Sequence, residues 1–278
     1  MLKRLLYCVI LVMALSESAL SRQTLSFGVV SQRSSVLTAQ YWNPILQYVS
    51  EKSGVPLQLK LGKNGQETSA MVGRGEFDFV YTNHNFSARN DRVGYRVIAR
   101  PIEAAIMGQI VVLADAPFHS LADLQGHEMA FPSRAAFVGY HVVMNALLQA
   151  GIEVTPSFVS NQEGAISQLK VGRVAAAGVN SQVMRDFAER ENLRYRVLWS
   201  SEKYLSIPIS AHPSVANKQV AAVQAALVGM RSDPEGGKVL AASAELIKQD
   251  PPLGFVNATD SEFENVRRFY QTSRVSGE

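Results

Sequence analysis

The segment from Phe131 to Ala136 (FPSRAA) places a hydroxyl and a guanidinium where a predicted strand gives way to a predicted helix. The first turn of a helix has free backbone N–H groups and a partial positive charge, and both favour an anion. Ser133 can donate its hydroxyl hydrogen, and Arg134 can form a bidentate pair with an oxyanion. The alternatives are that Ser133 only caps the helix and that Arg134 points to solvent. We predict an oxyanion site at Ser133, Arg134 and Ala135.

Polar side chains also gather at the end of the apolar run FDFVY, at Tyr81, Asn83 and His84. Ligands of open parallel sheets bind beyond the carboxyl ends of the strands. A histidine at such a place can donate a hydrogen bond to an oxyanion in its neutral or its charged form. The alternative for His84 is a loop position in solvent. We predict that these three residues contact the ligand.

Asn180 follows a run of small residues at 174–179 and is the third candidate. Its amide can both donate and accept, although it can equally cap the next helix. The loop at 31–38 after the first predicted strand is the fourth candidate, again at a strand end. Ser34 and Ser35 are its favoured positions, and Gln32 and Arg33 add polar groups. Tyr140 lies about two turns into the helix that follows Ser133. We include Asn180, Ser34, Ser35 and Tyr140 in the predicted binding site.

Motifs of the common hydrolases, metalloproteases and nucleotide-binding enzymes are missing from the sequence, which has no G-x-S-x-G, H-E-x-x-H or Walker pattern. The five histidines do not have metal-ligand spacing. The single cysteine, Cys8, lies in the N-terminal apolar run. We therefore predict a binding protein that is not an enzyme and has no cofactor or metal.

The elements that must position these residues alternate between strand and helix. The predicted strands are 24–30, 57–61, 77–81, 95–100, 109–114, 128–131, 154–159, 174–179 and 195–199. The predicted helices are 36–52, 66–74, 134–150, 163–171, 181–192, 216–230, 234–244 and 260–273. This alternation predicts an α/β fold with mostly parallel sheets flanked by helices. The mostly helical last third should pack on the first lobe, so the chain should cross between lobes near 101–108 and 200–209.

The N-terminus has the layout of a secretory signal peptide. Lys3 and Arg4 precede an apolar run at 5–15, and small residues follow it. The run is too short to span a bilayer, which needs about 20 residues. We predict that the signal is residues 1–21, with cleavage after Ser21; cleavage after Ser18 and an uncleaved membrane anchor are the alternatives.

The charge balance argues against nucleic acid as a partner. The chain of 278 residues has 27 Lys and Arg against 24 Asp and Glu, a net charge of +3. Two of the positive charges lie in the predicted signal, so the exported chain is close to neutral. Binding to a phosphate backbone needs a concentrated basic face, and the basic residues here do not cluster.

Six stretches in order resemble the substrate-binding proteins of phosphate, phosphite and phosphonate ABC transporters, of the phosphonate-binding type. They are LSFGVV at 25–30, YWNPILQYVSEKSGVPL at 41–57, GRGEFDFVYTN at 73–83, GQIVVLADAPFHSLADLQGHEMAFPS at 108–133, AFVGYHVVMNALLQAGI at 136–152 and AISQLKVGRVAAAGVNS at 165–181. The resemblance implies a two-lobed type II periplasmic binding protein that closes over its ligand by hinge motion. It places lobe 1 at 22–104 plus 205–278 and lobe 2 at 105–204.

The resemblance also implies roles for particular residues. Ser133 matches a hydroxyl-rich segment that donates to the ligand, and Tyr81 matches a ligand-contacting tyrosine. His84 stands where the family commonly has proline, and Asn180 stands where it often has an acidic residue. A neutral residue at 180 favours a more fully ionised ligand and loses the charge pairing with an amine.

We therefore expect a monomeric periplasmic protein that binds a small oxyanion (phosphate, phosphite or phosphonate) and delivers it to an ABC permease. Two alternatives remain at this point. The same fold can serve as the sensory partner of a membrane histidine kinase or cyclase, or as an exported enzyme.

Overall fold

The computed structural model of the chain describes residues 23–102 and 104–275, so the predicted signal peptide lies outside the described residues. The strands are β1 (Leu25–Val29), β2 (Leu57–Lys60), β3 (Phe79–Tyr81), β4 (Arg96–Pro101), β5 (Gly108–Leu113), β6 (Glu128–Phe131), β7 (Thr155–Phe158), β8 (Ala176–Asn180), β9 (Tyr195–Ser200), β10 (Ile209–Ala211) and β11 (Phe255–Asn257). The α-helices are α1 (Ser35–Ser53), α2 (Gly65–Gly73), α3 (Val143–Gln149), α4 (Gln162–Lys170), α5 (Ser181–Glu191), α6 (Asn217–Gly229), α7 (Pro234–Ile247) and α8 (Glu264–Thr272). Every helix in these two ranges is too short or too polar to cross a bilayer.

The strands form two mixed sheets, one in each lobe. The first has the order β11-β4-β10-β3-β1-β2, and the second has the order β7-β6-β8-β5-β9. The predicted two-lobed α/β fold is confirmed, but the sheets are less parallel than expected. β10 runs antiparallel to β3 and β4, and β5 runs antiparallel to β8 and β9. The reason is that each of these strands enters its sheet directly from the other lobe and not through a βαβ crossover.

Two short strands were missed by the sequence analysis, which expected a mostly helical last third. β10 and β11 have three residues each, too few for a period-2 pattern to show. Both pair with β4 and extend the first sheet. The prediction that the last third packs on the first lobe holds for α6 and α7. α8 in addition reaches the second lobe, because its Phe269 and Tyr270 rings lie 5.3 and 5.4 Å from the ring of Phe137.

Two segments connect the lobes, from β4 to β5 and from β9 to β10, as predicted near 101–108 and 200–209. They pair with each other: Ile106 N donates to Tyr204 O at 2.7 Å, and Tyr204 N donates to Ile106 O at 2.8 Å. Two short paired connections of this kind are compatible with the hinge motion that the resemblance implies. The exact lobe boundaries, 22–104 with 205–278 and 105–204, stay predictions.

The helix predicted at 134–150 begins three residues later than expected. Ala136 has an extended conformation, and its N–H donates to Ser133 O across a tight turn at 3.2 Å. A π-helical turn then covers Phe137–Val142, with His141 N donating to Ala136 O at 3.0 Å, and α3 continues from it. The widened turn fits because Gly139 lies against Gln162, where a Cβ atom would approach Nε2 to 2.6 Å.

Candidate ligand-binding cleft

Five strands end at the cleft between the lobes and place their following residues there. In the first lobe β1 and β3 are parallel neighbours, with Val29 opposite Tyr81, so the residues after both strands lie side by side. In the second lobe β6 is parallel to both β7 and β8. The connecting segments of the hinge, at Ile106 and Ile207, form the floor between them. The cleft contains two adjoining chambers, and both include Ile106 and Ile207 in their walls.

The first of these, which we call the polar chamber, has a volume of about 30 Å³. Its polar wall consists of Ser31, Gln32, Asn83, His84, Ser133, Ser160, Asn161, Gln162 and Asn180. All but Gln32, Ser160 and Asn161 are buried. The lobes approach closely here, because a Cβ atom on Gly65 of the first lobe would lie 2.9 Å from Ser133 Oγ of the second.

The second, which we call the aromatic chamber, has a volume of about 40 Å³. Its apolar wall consists of Leu37, Tyr41, Trp42, Tyr81, Val183 and Ile247. Trp42 holds Tyr81 in place through a ring contact with centroids 4.8 Å apart. Asn180 lies at the boundary and lines both chambers.

Helix N-termini converge on the polar chamber. Gly65 is the first residue of α2, and Asn161 and Gln162 are the N-cap and first residue of α4. The π-helical turn adds its N-terminus at Ala136–Val138. Each N-terminus contributes partial positive charge, so their sum favours an anion. Some first-turn N–H groups are already occupied, because Glu67 N donates to Asn64 Oδ1, Glu163 N to Gln32 O and Gly164 N to Asn161 Oδ1.

No aspartate or glutamate lines either chamber in the part of the chain that the structure describes. Within the same residues, no group of three or more His, Cys, Asp or Glu side chains lies close enough to hold a metal ion. Among the described residues, Arg33 is the one charged residue in the walls, and it lies in the aromatic chamber. The polar chamber is therefore left with uncharged side chains and helix N-termini.

Two histidines lie together beside the polar chamber. His84 lines this chamber and also a third cavity of about 80 Å³, whose wall includes His141 of the second lobe. Burial, with a smaller effect of His141, lowers the pKa of His84 from 6.5 to about 3. Burial lowers the pKa of His141 to about 4, against an opposing hydrogen bond with the Arg134 backbone. Both rings are therefore neutral at pH 7, and the Nδ1 atom of each is buried without a partner among the described residues.

A charged network, here called the rim network, joins the lobes at the edge of the cleft. Arg33 Nη2 lies 3.1 Å from Asp186 Oδ2, and Arg33 Nε lies 3.6 Å from Glu163 Oε1. Arg190 Nη2 lies 2.7 Å from the same Glu163 oxygen. The Arg33, Glu163 and Asp186 side chains are only 12, 13 and 2% exposed. A backbone bond from Glu163 N to Gln32 O, 3.1 Å long, adds to the contact.

Five of the predicted site residues line the two chambers. They are Tyr81, Asn83, His84, Ser133 and Asn180. His84 is buried and not a solvent-exposed loop residue. Asn180 caps α5, because its Oδ1 accepts from Gln182 N at 2.9 Å, and it also lines both chambers. Its contact with a ligand stays a prediction.

The other five lie outside both chambers, for local reasons. Arg134 is exposed, and its guanidinium lies 4.4 Å from the centroid of the Phe158 ring. Ala135 faces the third cavity. Tyr140 packs edge-on against Phe131 and Phe158 in the core. Ser34 Oγ caps α1 by accepting from Leu37 N at 3.2 Å, and both Ser34 and Ser35 are exposed.

Asn161 and Gln162 line the polar chamber but were not among the sequence candidates. They follow β7, where the rule that ligands gather after parallel strands also applies, but the sequence there indicates only the start of a helix. Within the predicted loop at 31–38, Ser31, Gln32 and Arg33 line the chambers, while the favoured Ser34 and Ser35 do not.

A family model described as the periplasmic substrate-binding protein of phosphonate ABC transporters matches residues 27–263. No curated protein sequence matches the chain significantly.

Solved structures with the same fold include a binding-protein component of an ABC phosphonate transporter from Pseudomonas aeruginosa. It has a TM-score of 0.76 and 16% identity over 90% of this chain and 86% of that one. PhnD1 from Prochlorococcus marinus, solved with methylphosphonate, has a TM-score of 0.74 and 14% identity over 90% and 98%. XAC2383 from Xanthomonas citri, solved with chloride, has a TM-score of 0.70 and 16% identity over 91% and 98%.

Proposed function

The chain belongs to the family of periplasmic substrate-binding proteins of phosphonate ABC transporters, and we propose that it captures a small phosphate-like oxyanion (phosphate, phosphite or phosphonate) for an ABC importer. The polar chamber is the observation that carries the choice of ligand. It brings hydroxyl and amide groups together with three helix N-termini, and it contains no carboxylate among the described residues. Such a site matches the oxygens of a tetrahedral anion.

The family also decides two broader questions. Its members are substrate-binding proteins, which confirms the prediction that the chain is not an enzyme. They are periplasmic, which agrees with the predicted export, while cleavage of residues 1–21 stays a prediction.

Thermal unfolding of the purified exported chain tests the choice of ligand. Phosphate, phosphite, methylphosphonate, sulfate and arsenate are added separately, with chloride at the same ionic strength as the control. A ligand at a hundredfold excess over its Kd should stabilise the fold by about 2.7 kcal/mol. If none of these oxyanions raises the melting temperature above that in chloride, the proposed ligand class is wrong.

A single substitution tests the place of binding. Ser133→Ala should weaken binding of the best oxyanion by about 1–3 kcal/mol, because a buried donor to the ligand is lost. The exposed Ser232→Ala is the control and should leave the affinity unchanged. Isothermal titration measures both variants. Equal affinities in Ser133→Ala and the wild type would move the site out of the polar chamber.

The importer and the alternative sensory role share this binding step and differ in the membrane partner. Ligand-dependent stimulation of ATP hydrolysis by a reconstituted permease would support the importer. If the ligand-loaded chain instead activates a membrane kinase or cyclase and leaves the permease unaffected, the sensory role is the correct one.

A further inference from the structure

Three amide side chains of the second lobe line the polar chamber, those of Asn161, Gln162 and Asn180, and all three have their oxygens occupied. Asn161 Oδ1 accepts from Gly164 N at 2.8 Å, and Asn180 Oδ1 accepts from Gln182 N at 2.9 Å. Gln162 Oε1 accepts from Asn180 N at 2.9 Å. A backbone N–H can bond only to the oxygen of an amide, so these bonds also fix which way each amide is turned.

The NH₂ groups of the same three side chains remain available. Asn180 and Gln162 are only 2 and 7% exposed, and all three residues line the polar chamber. None of the three NH₂ groups donates a hydrogen bond within residues 23–102 and 104–275. Buried donors are normally satisfied, so the buried NH₂ groups of Asn180 and Gln162, with the half-buried Asn161 beside them, point to a missing acceptor.

Hydrogen-bond acceptors with negative charge are kept away from this position. The carboxylates of the rim network, Glu163 and Asp186, pair with Arg33 and Arg190 and do not line either chamber. The side-chain acceptors left in the polar chamber are neutral, namely the amides of Gln32 and Asn83, the His84 ring and the hydroxyls of Ser31, Ser133 and Ser160. Ser31 Oγ is buried without a partner, and its hydrogen can rotate to donate.

We propose that the cleft binds the fully deprotonated dianion of a tetrahedral oxyanion and rejects ligands that carry an ammonium group. This inference rests on the proposed function and specifies its ligand. Every oxygen of a dianion is an acceptor, and hydrogen bonds to an ionised acceptor are about twice as strong as neutral ones. A protonated oxygen has no carboxylate to donate to. An ammonium group would enter a site of positive potential without a counter-charge.

Asn180→Asp tests the first part of the proposal. Aspartate is as good an N-cap as asparagine, so the bond to Gln182 N and the fold should be retained. The new carboxylate repels a dianion and accepts the proton of a monoanion. Methylphosphonate affinity should be measured by isothermal titration between about pH 6 and pH 9. The ratio of the variant Kd to the wild-type Kd should rise about tenfold per pH unit, because the two proteins then select protonation states that differ by one proton.

Comparing two proteins at each pH removes the contribution of the histidines, which both contain. Ser34→Asp is the matched control, because it adds the same charge at an exposed N-cap outside the chambers. Its Kd should stay within about twofold of the wild-type Kd. A ratio for Asn180→Asp that does not change with pH would overturn the selection of the dianion. Failure of the wild type to bind any oxyanion would instead overturn the proposed function.

A ligand pair tests the second part without any variant. Ethylphosphonate and 2-aminoethylphosphonate differ only in the ammonium group. The amine should bind the wild type at least about tenfold more weakly, since its charge gains no partner. Equal or tighter binding of the amine would show that the cleft supplies a counter-charge and would overturn this part.

Discussion

The two chambers of the cleft differ in how they treat charge. The polar chamber is built from neutral donors and helix N-termini, and its described wall contains no charged side chain. The aromatic chamber has Trp42, Tyr41 and Tyr81 in its wall, together with Arg33 of the rim network. Full charges therefore lie where the lobes meet, and dipoles lie where the anion is proposed to bind.

This difference has a physical reason. A dipole at a helix N-terminus attracts an anion without needing a counter-ion of its own, so an empty site does not contain an unpaired buried charge. An arginine in the same place would need a carboxylate when the ligand leaves. The ion pairs of Arg33 can instead form and break as the lobes close and open. We expect the polar chamber to determine which anion binds, and the rim network to determine how firmly the lobes close.

The largest effect that we expect is a loss of folding stability in acid, caused by the two buried histidines beside the polar chamber. His84 and His141 have pKa values of about 3 and 4 in the folded chain, below their ordinary value of 6.5. The unfolded chain therefore binds protons first. Above pH 6.5 the two histidines are neutral in both states and the folded chain has its full stability. As the pH falls from 6.5 towards 4, protonation stabilises the unfolded chain and the free energy of unfolding decreases. Below pH 6.5 each histidine should remove about 1.4 kcal/mol per pH unit, or about 5 kcal/mol in total at pH 4.5.

Urea unfolding between pH 7 and pH 4.5 measures this loss. The double variant His84→Gln/His141→Gln should show a much smaller fall in the free energy of unfolding over the same range, whatever its stability at pH 7. His127→Gln, which changes an exposed histidine, should behave as the wild type. A double variant that loses as much stability as the wild type would assign the acid sensitivity to other groups.

Breaking the rim network should have the second largest effect. Asp186→Asn removes a carboxylate that is only 2% exposed and leaves the half-buried Arg33 with its longer contact to Glu163. Removing one partner of a buried pair costs about 3–5 kcal/mol, and the remaining carboxylate should keep the loss near the lower end of this range. The loss should appear as weaker oxyanion binding, since Arg33 and Asp186 come from different lobes. Isothermal titration checks this.

The control for the rim network is the same change at an exposed pair. Arg194 and Asp115 are 3.0 Å apart with side chains 78 and 84% exposed, so Asp115→Asn should not alter ligand binding. If Asp186→Asn also binds the oxyanion as the wild type does, the network contributes nothing to closure.

A methyl group at Gly65 should separate the lobes at the polar chamber. The Cβ atom of Gly65→Ala would lie 2.9 Å from Ser133 Oγ, and overpacking of this kind costs about 1–3 kcal/mol. The ligand-free chain can relieve the contact by opening, so its melting temperature should change little while oxyanion affinity falls. Gly229→Ala, where a Cβ atom would meet nothing within 4 Å, is the matched control. Equal affinities in both variants would show that the lobes can close without this contact.

The sequence predicted more of the fold than of the site. The reason is that secondary structure depends on neighbouring residues, whereas the orientation of a site residue depends on residues far away in the chain. Strand and helix patterns are local, so β6 was predicted at 128–131 and is observed at Glu128–Phe131. Asn180 was found for the same reason, since a strand end and an N-cap coincide there. By contrast, the direction of Arg134 depends on Phe158, which β7 places beside β6. No pattern within 134–150 contains that information.

The pairing of the amide groups was also beyond the sequence. Gln162 has an ordinary position at the start of a helix, and its role follows only from the bond that Asn180 N makes to it across 18 residues. A polar residue after a strand marks a candidate, but its hydrogen-bond partners decide whether its donor or its acceptor faces the ligand.

The smallest expected effect is a loss of affinity from a substitution that changes only the aromatic chamber. Leu37 is half-buried and lines only the aromatic chamber, where we expect the substituent of a phosphonate to lie. Leu37→Ala removes apolar contact area, which is worth about 25 cal/mol per Å², so binding of phenylphosphonate should weaken by about 1 kcal/mol. Binding of phosphite, which has no carbon substituent, should not change. Isothermal titration of both ligands gives the comparison directly. An equal loss for both would mean that the two chambers act as one site, and that the division between anion and substituent drawn from their walls is wrong.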